Sequence, residues 1–365
     1  MLTSHSRTSG SVSHDQEQHV HRNRFVLGLT GASLAFVLTS AIAGAAGQLT
    51  GAGSSFDFPF FSRAFYEYGK QHADVQVNYQ SIGSGGGIQQ FTAKTVDFGA
   101  SDVPLNPNEM KAAQASNGDV VQVPVTLGGV VVAYNVQGVA GHLKLDQQTL
   151  AGIFLGKITN WNDPAIAKLN AGTTLPSQAI VVAHRADGSG TTYIFTDYLS
   201  KISPQWKSSV GTAKTVNWPA QSAIGAKGNE GVAGLIRQTP GAIGYVELAY
   251  ASQNDISYAS LKNSAGQFVL PTVDSVRMAA SQKPNVSPDD YSIVDMGGAG
   301  SYPIAGYSWV MLWKNQSDAN KGKQLVGLFR WLVTDGQTYA TNVRYVGLPK
   351  NVQGEADRAL ASIKT

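Results

Sequence analysis

Val75-Gln76-Val77-Asn78-Tyr79, then Ser81-Ile82-Gly83-Ser84-Gly85-Gly86-Gly87, then Ile88 and Phe91, is the stretch on which the fold turns. Residues 75–79 alternate with the period of a half-buried strand, and Ile88 and Phe91 open a helical pattern, so the run reads as strand, glycine turn, helix. The same order stands upstream, where Leu49-Thr50-Gly51-Ala52-Gly53-Ser54-Ser55-Phe56 runs into a Gly/Ser turn and Phe61, Phe65 and Tyr68 recur at spacings of four and three. Residues 96–102 form a third strand ending on a loop, and Asn106-Pro107-Asn108-Glu109 carries a helix cap, a first-turn Pro and a Glu at the third position. Further on come a helix near 150–154, a strand at 179–183, the turn Arg185-Ala186-Asp187-Gly188-Ser189-Gly190-Thr191, and Ile194, Phe195, Tyr198 and Leu199 at helical spacing. Strands alternating with helices make this an α/β protein. The nearly unbroken apolar stretch 121–136, with Gly128-Gly129 at its centre, suits a buried strand crossing between lobes. A second such strand spans 305–313, and Leu325, Leu328, Phe329 and Leu332 mark a C-terminal helix. Residues 253–300, richer in Ser, Asn, Gln and Pro, carry no clear period.

At about 150 residues per domain, 365 residues predict two domains. Charged residues are only 14% and hydrophobic ones 42%, with 40 glycines and a net charge of +3, which describes a compact, turn-rich chain and excludes intrinsic disorder. No cluster of five Lys/Arg occurs, so the footprint of a nucleic-acid binder is missing. The absence of cysteine excludes disulfides, a thiol nucleophile, a Cys-zinc site and a lipid-modified N-terminal cysteine. Residues 1–24 are polar and carry Arg7, His19, His21, Arg22 and Arg24. The apolar run 25–42 follows and ends in Ala41-Ile42-Ala43-Gly44-Ala45-Ala46, which offers cleavage after Ala43 or Ala45. Residues 1–45 therefore read as a signal peptide; an uncleaved anchor is the alternative, since about 18 apolar residues just span a bilayer.

Three strand-to-helix junctions, at 54–56, 83–87 and 188–192, are rich in Gly and small hydroxyls. Helix N-termini present free N–H groups and positive partial charge, so several converging ends bind an oxyanion without a lysine cluster; taken singly, each is equally an ordinary capping turn. The nucleotide motifs fail letter by letter. Ile88 stands where the dinucleotide fingerprint needs its last Gly, and Gly152-Ile153-Phe154-Leu155-Gly156-Lys157-Ile158 is one residue short of a P-loop. No G-x-S-x-G surrounds Ser84 or Ser189, and His72, His142 and His184 lack metal spacing. Asp102, at a strand end, either caps its turn or accepts a hydrogen bond from an anion that keeps a proton at neutral pH, as phosphate does and sulfate does not. Asp187 either holds Arg185 or caps the next helix.

These elements together resemble the periplasmic phosphate-binding proteins of bacterial high-affinity phosphate ABC transporters. The matching segments are residues 50–56, 78–86, 95–102, 185–191 and Pro240-Gly241-Ala242-Ile243-Gly244-Tyr245-Val246-Glu247, in the family's order. The resemblance implies a two-lobed, type II-like periplasmic binding protein fold, with lobe I at 46–128 and 303–365, lobe II at 129–302 and the ligand in the cleft. It implies that Ser55, Phe56 and Ser84 donate from one lobe, that Asp102 accepts the phosphate proton, and that Arg185, held by Asp187, acts from the other lobe with Ser189, Gly190 and Thr191. Ser55 stands where the family commonly has Thr, and Asp57 where it continues with Pro; that added carboxylate opposes anion binding if it faces the cleft.

The implied function is capture of inorganic phosphate and its delivery to a membrane permease, with no catalysis, cofactor or metal. The implied setting is a free, unlipidated monomer in a Gram-negative periplasm. The competing readings are a carrier for another oxyanion, which Asp102 opposes, and a secreted phosphatase using Ser84 or Ser189, for which no general base is at hand.

Overall fold

The computed structural model describes residues 47–139 and 141–365; the signal peptide expected at 1–45 lies outside them. Strand β1 (Gly47–Gly53), helix α1 (Phe58–Gln71), β2 (Val75–Ser81), α2 (Ser84–Thr92), β3 (Phe98–Ser101) and α3 (Pro107–Asn117) come in the order the periodicity predicts. The Asn106 side chain accepts the N–H groups of Asn108 and Glu109 at 3.0 Å, and the Glu109 carboxylate takes the Asn106 N–H, closing the capping box that starts α3. The apolar stretch becomes one 15-residue strand, β4 (Val120–Tyr134).

After it come β5 (Lys144–Leu145), α4 (Gln147–Phe154), α5 (Pro164–Leu169), β6 (Val181–Arg185), α6 (Gly190–Ile202), α7 (Pro204–Ser209), β7 (Ile224–Ala226), α8 (Gly228–Gln238), β8 (Ala242–Glu247) and α9 (Leu248–Gln253). The region without clear period holds three short strands, β9 (Ser257–Tyr258), β10 (Ser260–Lys262) and β11 (Phe268–Val269), and α10 (Val273–Ser281). The chain ends with β12 (Ala305–Trp313), α11 (Ala319–Val333) and α12 (Lys350–Ala361).

The main sheet runs β2-β1-β3-β12-β4-β8-β6-β7, with β9 on β4, while β11-β10-β5 form a small separate sheet. β1 pairs in parallel with β2 and β3, and β6 in parallel with β8 and β7. The antiparallel strands β4 and β12 lie between these two parallel groups. From Val120 to Gly129, β4 pairs with β12; from Val130 to Tyr134 it pairs with β8. One long strand thus serves two α/β lobes, and β12 brings the C-terminal helices back to the first. The register of β12 on β4 shifts between Ser308 and Trp309, opposite Pro124, which has no N–H to give to a regular ladder.

Each lobe closes over aromatic side chains. Phe60, Phe61 and Phe98 are fully buried on one side, and on the other Trp161 and Trp206 donate their indole N–H groups to the Gly241 and Gly211 carbonyls at 2.9 and 3.0 Å. Helix α2 lies so close to the strands that a Cβ at Gly87 would stand 2.4 Å from Gly53 Cα, 2.6 Å from the Ala52 carbonyl and 2.9 Å from that of Ala100. These are backbone atoms and cannot turn aside. Gly87→Ala is expected to destabilise the fold by about 3 kcal/mol or more, read as a lower denaturant midpoint; an unchanged midpoint would contradict this packing.

Candidate functional site

Parallel strands carry ligand sites just beyond their carboxyl ends, and here those ends face one another across the seam between the lobes. Ser54 and Ser55 follow β1, Ser84 opens α2 after β2, and Asp102 follows β3; opposite them, Arg185 ends β6, Gly190 and Thr191 open α6, and Asn229 lies in the first turn of α8 after β7. Ser84, at the first position of α2, and Thr191, at the second of α6, have backbone N–H groups with no intrahelical acceptor. The N-terminus of α2 has no side-chain cap at all. The Ser84 hydroxyl accepts the N–H groups of Asp102 at 3.2 Å and Gly190 at 3.0 Å, which leaves its own hydrogen to donate.

Arg185 is 4% exposed. Its Nε and Nη2 donate to the two carboxylate oxygens of Asp187 at 2.7 and 2.5 Å, a bidentate pair that fixes the plane of the guanidinium. Burial works against the charge on Arg185, and Asp187 more than offsets it. Burial pushes Asp187 up as well, but Arg185 and the Gly228 N–H hold it below the usual carboxylate range. Nη1 is 3.5 Å from the Thr191 hydroxyl and takes no part in the Asp187 pair.

Asp102 is 2% exposed and accepts from the hydroxyls of Ser54, of Ser308 at 3.0 Å and of Thr191 at 3.2 Å. Burial leaves its pKa above the ordinary carboxyl value, although the Ser54 and Ser308 hydroxyls, the Arg185 charge and Thr191 pull it part of the way back. A Cβ at Gly190 would stand 2.5 Å from that of Asp102, so glycine is what lets the start of α6 approach this carboxylate.

The structure brings Ser84, Asp102, Arg185, Asp187, Gly190 and Thr191 together at the seam. Ser55 joins them through Asn229, whose N–H and Nδ2 donate to its hydroxyl at 3.0 and 2.9 Å. The Phe56 ring is fully buried in the core, leaving its backbone as the part that faces the site, and the Ser189 side chain turns back to cap the Thr192 N–H at 3.0 Å. Asp57, read as an added carboxylate, is 0% exposed, with its Oδ2 2.6 Å from the Ser308 hydroxyl.

Sequence reasoning missed Ser54, Asn229, Ser308 and three tyrosines. Tyr79 and Tyr250 donate to the carbonyls of Ser54 and Ser55 at 2.8 and 2.6 Å, and Tyr345 to that of Phe56. With its carbonyls tied outward, this stretch of backbone is oriented peptide by peptide. Asn229 had a signal, a Gly-turn before a helix at Gly228; the tyrosines had none, since they come from distant parts of the chain.

Two α/β lobes sharing a pair of crossing strands, with helix N-termini, one guanidinium and one carboxylate at the seam, define a substrate-binding protein built for a small anion. A family profile described as PBP superfamily domain matches residues 38–335. The phosphate-binding protein PstS of Pasteurella multocida is 46% identical over 317 residues, covering 86% of this chain and 90% of that one. The Haemophilus influenzae protein of the same name is 45% identical, covering 84% and 90%. The chain belongs to the PstS family of phosphate-binding proteins. The crystal structure of a phosphate binding protein from Stenotrophomonas maltophilia shares the fold, with a TM-score of 0.65 at 20% identity over 86% of this chain and 94% of that one.

Proposed function

We propose that this chain captures inorganic phosphate outside the cytoplasm and delivers it to the permease of a phosphate ABC transporter, without catalysing a reaction. The observation that carries this reading is Asp102: a buried carboxylate set among hydroxyl and backbone donors, within the field of one buried Arg, suits an anion that still carries a proton. Ser55, Ser84 and Thr191 with the Phe56 backbone supply donors, Gly190 adds the N–H that goes to the Ser84 hydroxyl until an anion takes its place, Arg185 supplies the positive charge, and Asp187 holds Arg185. The Ser189 N–H goes to the Lys214 carbonyl at 2.9 Å, so Ser189 would donate through its hydroxyl, whose oxygen takes the Thr192 N–H and whose own hydrogen stays free. A fully ionised oxyanion such as sulfate would place charge against Asp102 with no proton between, which disfavours a sulfate carrier.

Hydrolysis is disfavoured by the serines themselves. The Ser84 hydroxyl accepts two backbone N–H groups and has no base beside it, the Ser189 hydroxyl caps its own helix, and His184 Nδ1 is engaged by the Arg185 carbonyl at 2.9 Å. The change of partner along β4 at Gly129 and Val130 supports dividing the lobes at 46–128 with 303–365 and at 129–302. The lack of cysteine supports an unlipidated carrier, free in a Gram-negative periplasm after removal of residues 1–45 and taken as a monomer, and the weak net charge of +3 gives nucleic acid no purchase.

Because donors of both lobes reach one anion only when the lobes meet, ligand and closure are linked. Charge-assisted hydrogen bonds contribute about 1.5–3 kcal/mol each, so a ring of them supports sub-micromolar affinity. Calorimetric titration of the refolded chain, starting near residue 46, is expected to give one tight phosphate site and no heat with sulfate. Binding of neither anion would overturn the reading.

A further inference from the structure

Ser308 sits at the register shift of β12, and its single hydroxyl lies 2.6 Å from Asp57 Oδ2 and 3.0 Å from Asp102 Oδ1. One hydroxyl has one hydrogen and can donate to only one of the two oxygens, so with both carboxylates ionised the other contact would set lone pair against lone pair in a dry interior. A proton therefore resides on one of the two acids.

The surroundings decide which. Asp102 has the hydroxyls of Ser54 and Thr191 besides Ser308, and the Arg185 charge nearby. Asp57 has Ser308 at hydrogen-bond distance, with the Ser54 hydroxyl and the buried, unpartnered Thr126 hydroxyl nearby, and its Oδ1 is buried with no partner among the described residues. The titratable groups facing Asp57 are all acids: Asp102 from the loop after β3, Glu247 from the end of β8, Tyr79 from β2 and Tyr345 from the segment before α12. The one cation of the site, Arg185, is taken up by Asp187. Burial, then the Asp102 charge, push Asp57 far above the ordinary carboxyl range, while the hydroxyls of Ser308, Thr126 and Ser54 pull the other way.

We infer that Asp57 is a positioning residue: it holds the proton of an Asp57–Ser308–Asp102 relay, and through Ser308 it fixes Asp102 as the charged acceptor turned toward the anion. The direction of donation is then set. The Asp57 O–H donates to Ser308 Oγ, and the Ser308 O–H donates to Asp102, so the proton for the open side of Asp102 has to come from the ligand. This rests on the phosphate reading above and deepens it, since it makes the added carboxylate part of the selection for a protonated oxyanion.

Three readouts test it. Infrared difference spectra of the full mature protein, wild type minus Asp57→Asn, are expected to contain the carbonyl stretch of a neutral carboxylic acid near pH 7, a signal that needs no ligand. Asp57→Ala is expected to weaken phosphate binding about tenfold by calorimetry, with Asp57→Asn recovering most of the loss because an amide also donates to Ser308. In thermal melts across pH, an acid whose folded-state pKa is raised contributes stability that is whole below its unfolded pKa and lost as pH rises toward the folded one. The wild type should thus lose stability from about pH 4 upward relative to Asp57→Asn. Absence of the acid band, or tighter phosphate binding by Asp57→Asn together with a flat pH difference, would overturn the relay. If Asp57→Ala fails to fold, the infrared and melting comparisons with Asp57→Asn still decide the matter. If the band is present but no form binds phosphate, the carrier reading fails and the positioning role fails with it.

Discussion

Arg185→Met is expected to bind phosphate about a thousandfold more weakly than the wild type and to unfold more easily, by about 3–5 kcal/mol. Two separate losses are involved. The bound anion loses the one guanidinium at the seam, and Asp187, which faces that guanidinium at 2.7 and 2.5 Å, is left with an uncompensated charge in a largely buried place. Stability and binding can be separated with the double variant Arg185→Met with Asp187→Leu, which removes both charges. It should regain most of the stability and none of the affinity. Lysine in place of Arg185 is no conservative replacement, because a single ammonium cannot engage Asp187 through two parallel bonds and still present a third N–H to the cleft. Calorimetry paired with denaturant unfolding provides both numbers; a destabilised variant with unchanged phosphate affinity would remove Arg185 from the ligand set.

Asp102→Asn is expected to lower the preference for phosphate over sulfate by about a hundredfold or more, chiefly by admitting sulfate. In the wild type a fully ionised anion meets a buried carboxylate with no proton to share, a clash of several kcal/mol in a low-dielectric seam. The substituted amide replaces one carboxylate oxygen with an N–H donor, which sulfate accepts. Phosphate loses a charged acceptor for its proton and gains a neutral one, so its own affinity changes less. The hydroxyls of Ser54, Ser308 and Thr191 rotate to suit the amide, so the fold should survive. Competition between the two anions measures the ratio directly, and a ratio equal to that of the wild type would show that Asp102 does not discriminate.

The fold was legible where period and punctuation agree. The alternation in β2, the Phe61-Phe65-Tyr68 face of α1 and the capping box of α3 are local patterns, and each formed where it was read. The strand read at 179–183 forms instead at Val181–Arg185, two residues later, which carries Arg185 on the strand end and not in the loop. β9, β10 and β11 escaped notice because strands of two or three residues have no period to detect. Part of the candidate site was legible for a related reason: the turns joining strands to helices that carry Ser84, Arg185, Asp187, Gly190 and Thr191 stand out locally, while the roles of these residues came from the family resemblance. Asn229 and Ser308 reach the site through separations of 174 residues from Ser55 and 206 from Asp102, and a pairing of that kind is written in the register of the sheet, where no sequence window sees it.

The seam has one more property. Where the lobes meet, Gly85 donates its N–H to the Gly188 carbonyl at 2.8 Å, and a Cβ on Gly85 would lie 3.1 Å from Gly188 Cα. At this one point the jaws seat main chain on main chain, with no side chain between them. That contact is a hard stop, which sets how near the two helix starts can come. Phosphate joined to an alcohol or a sugar is expected to hold that contact open, so that donors of the two sides do not reach one ligand together.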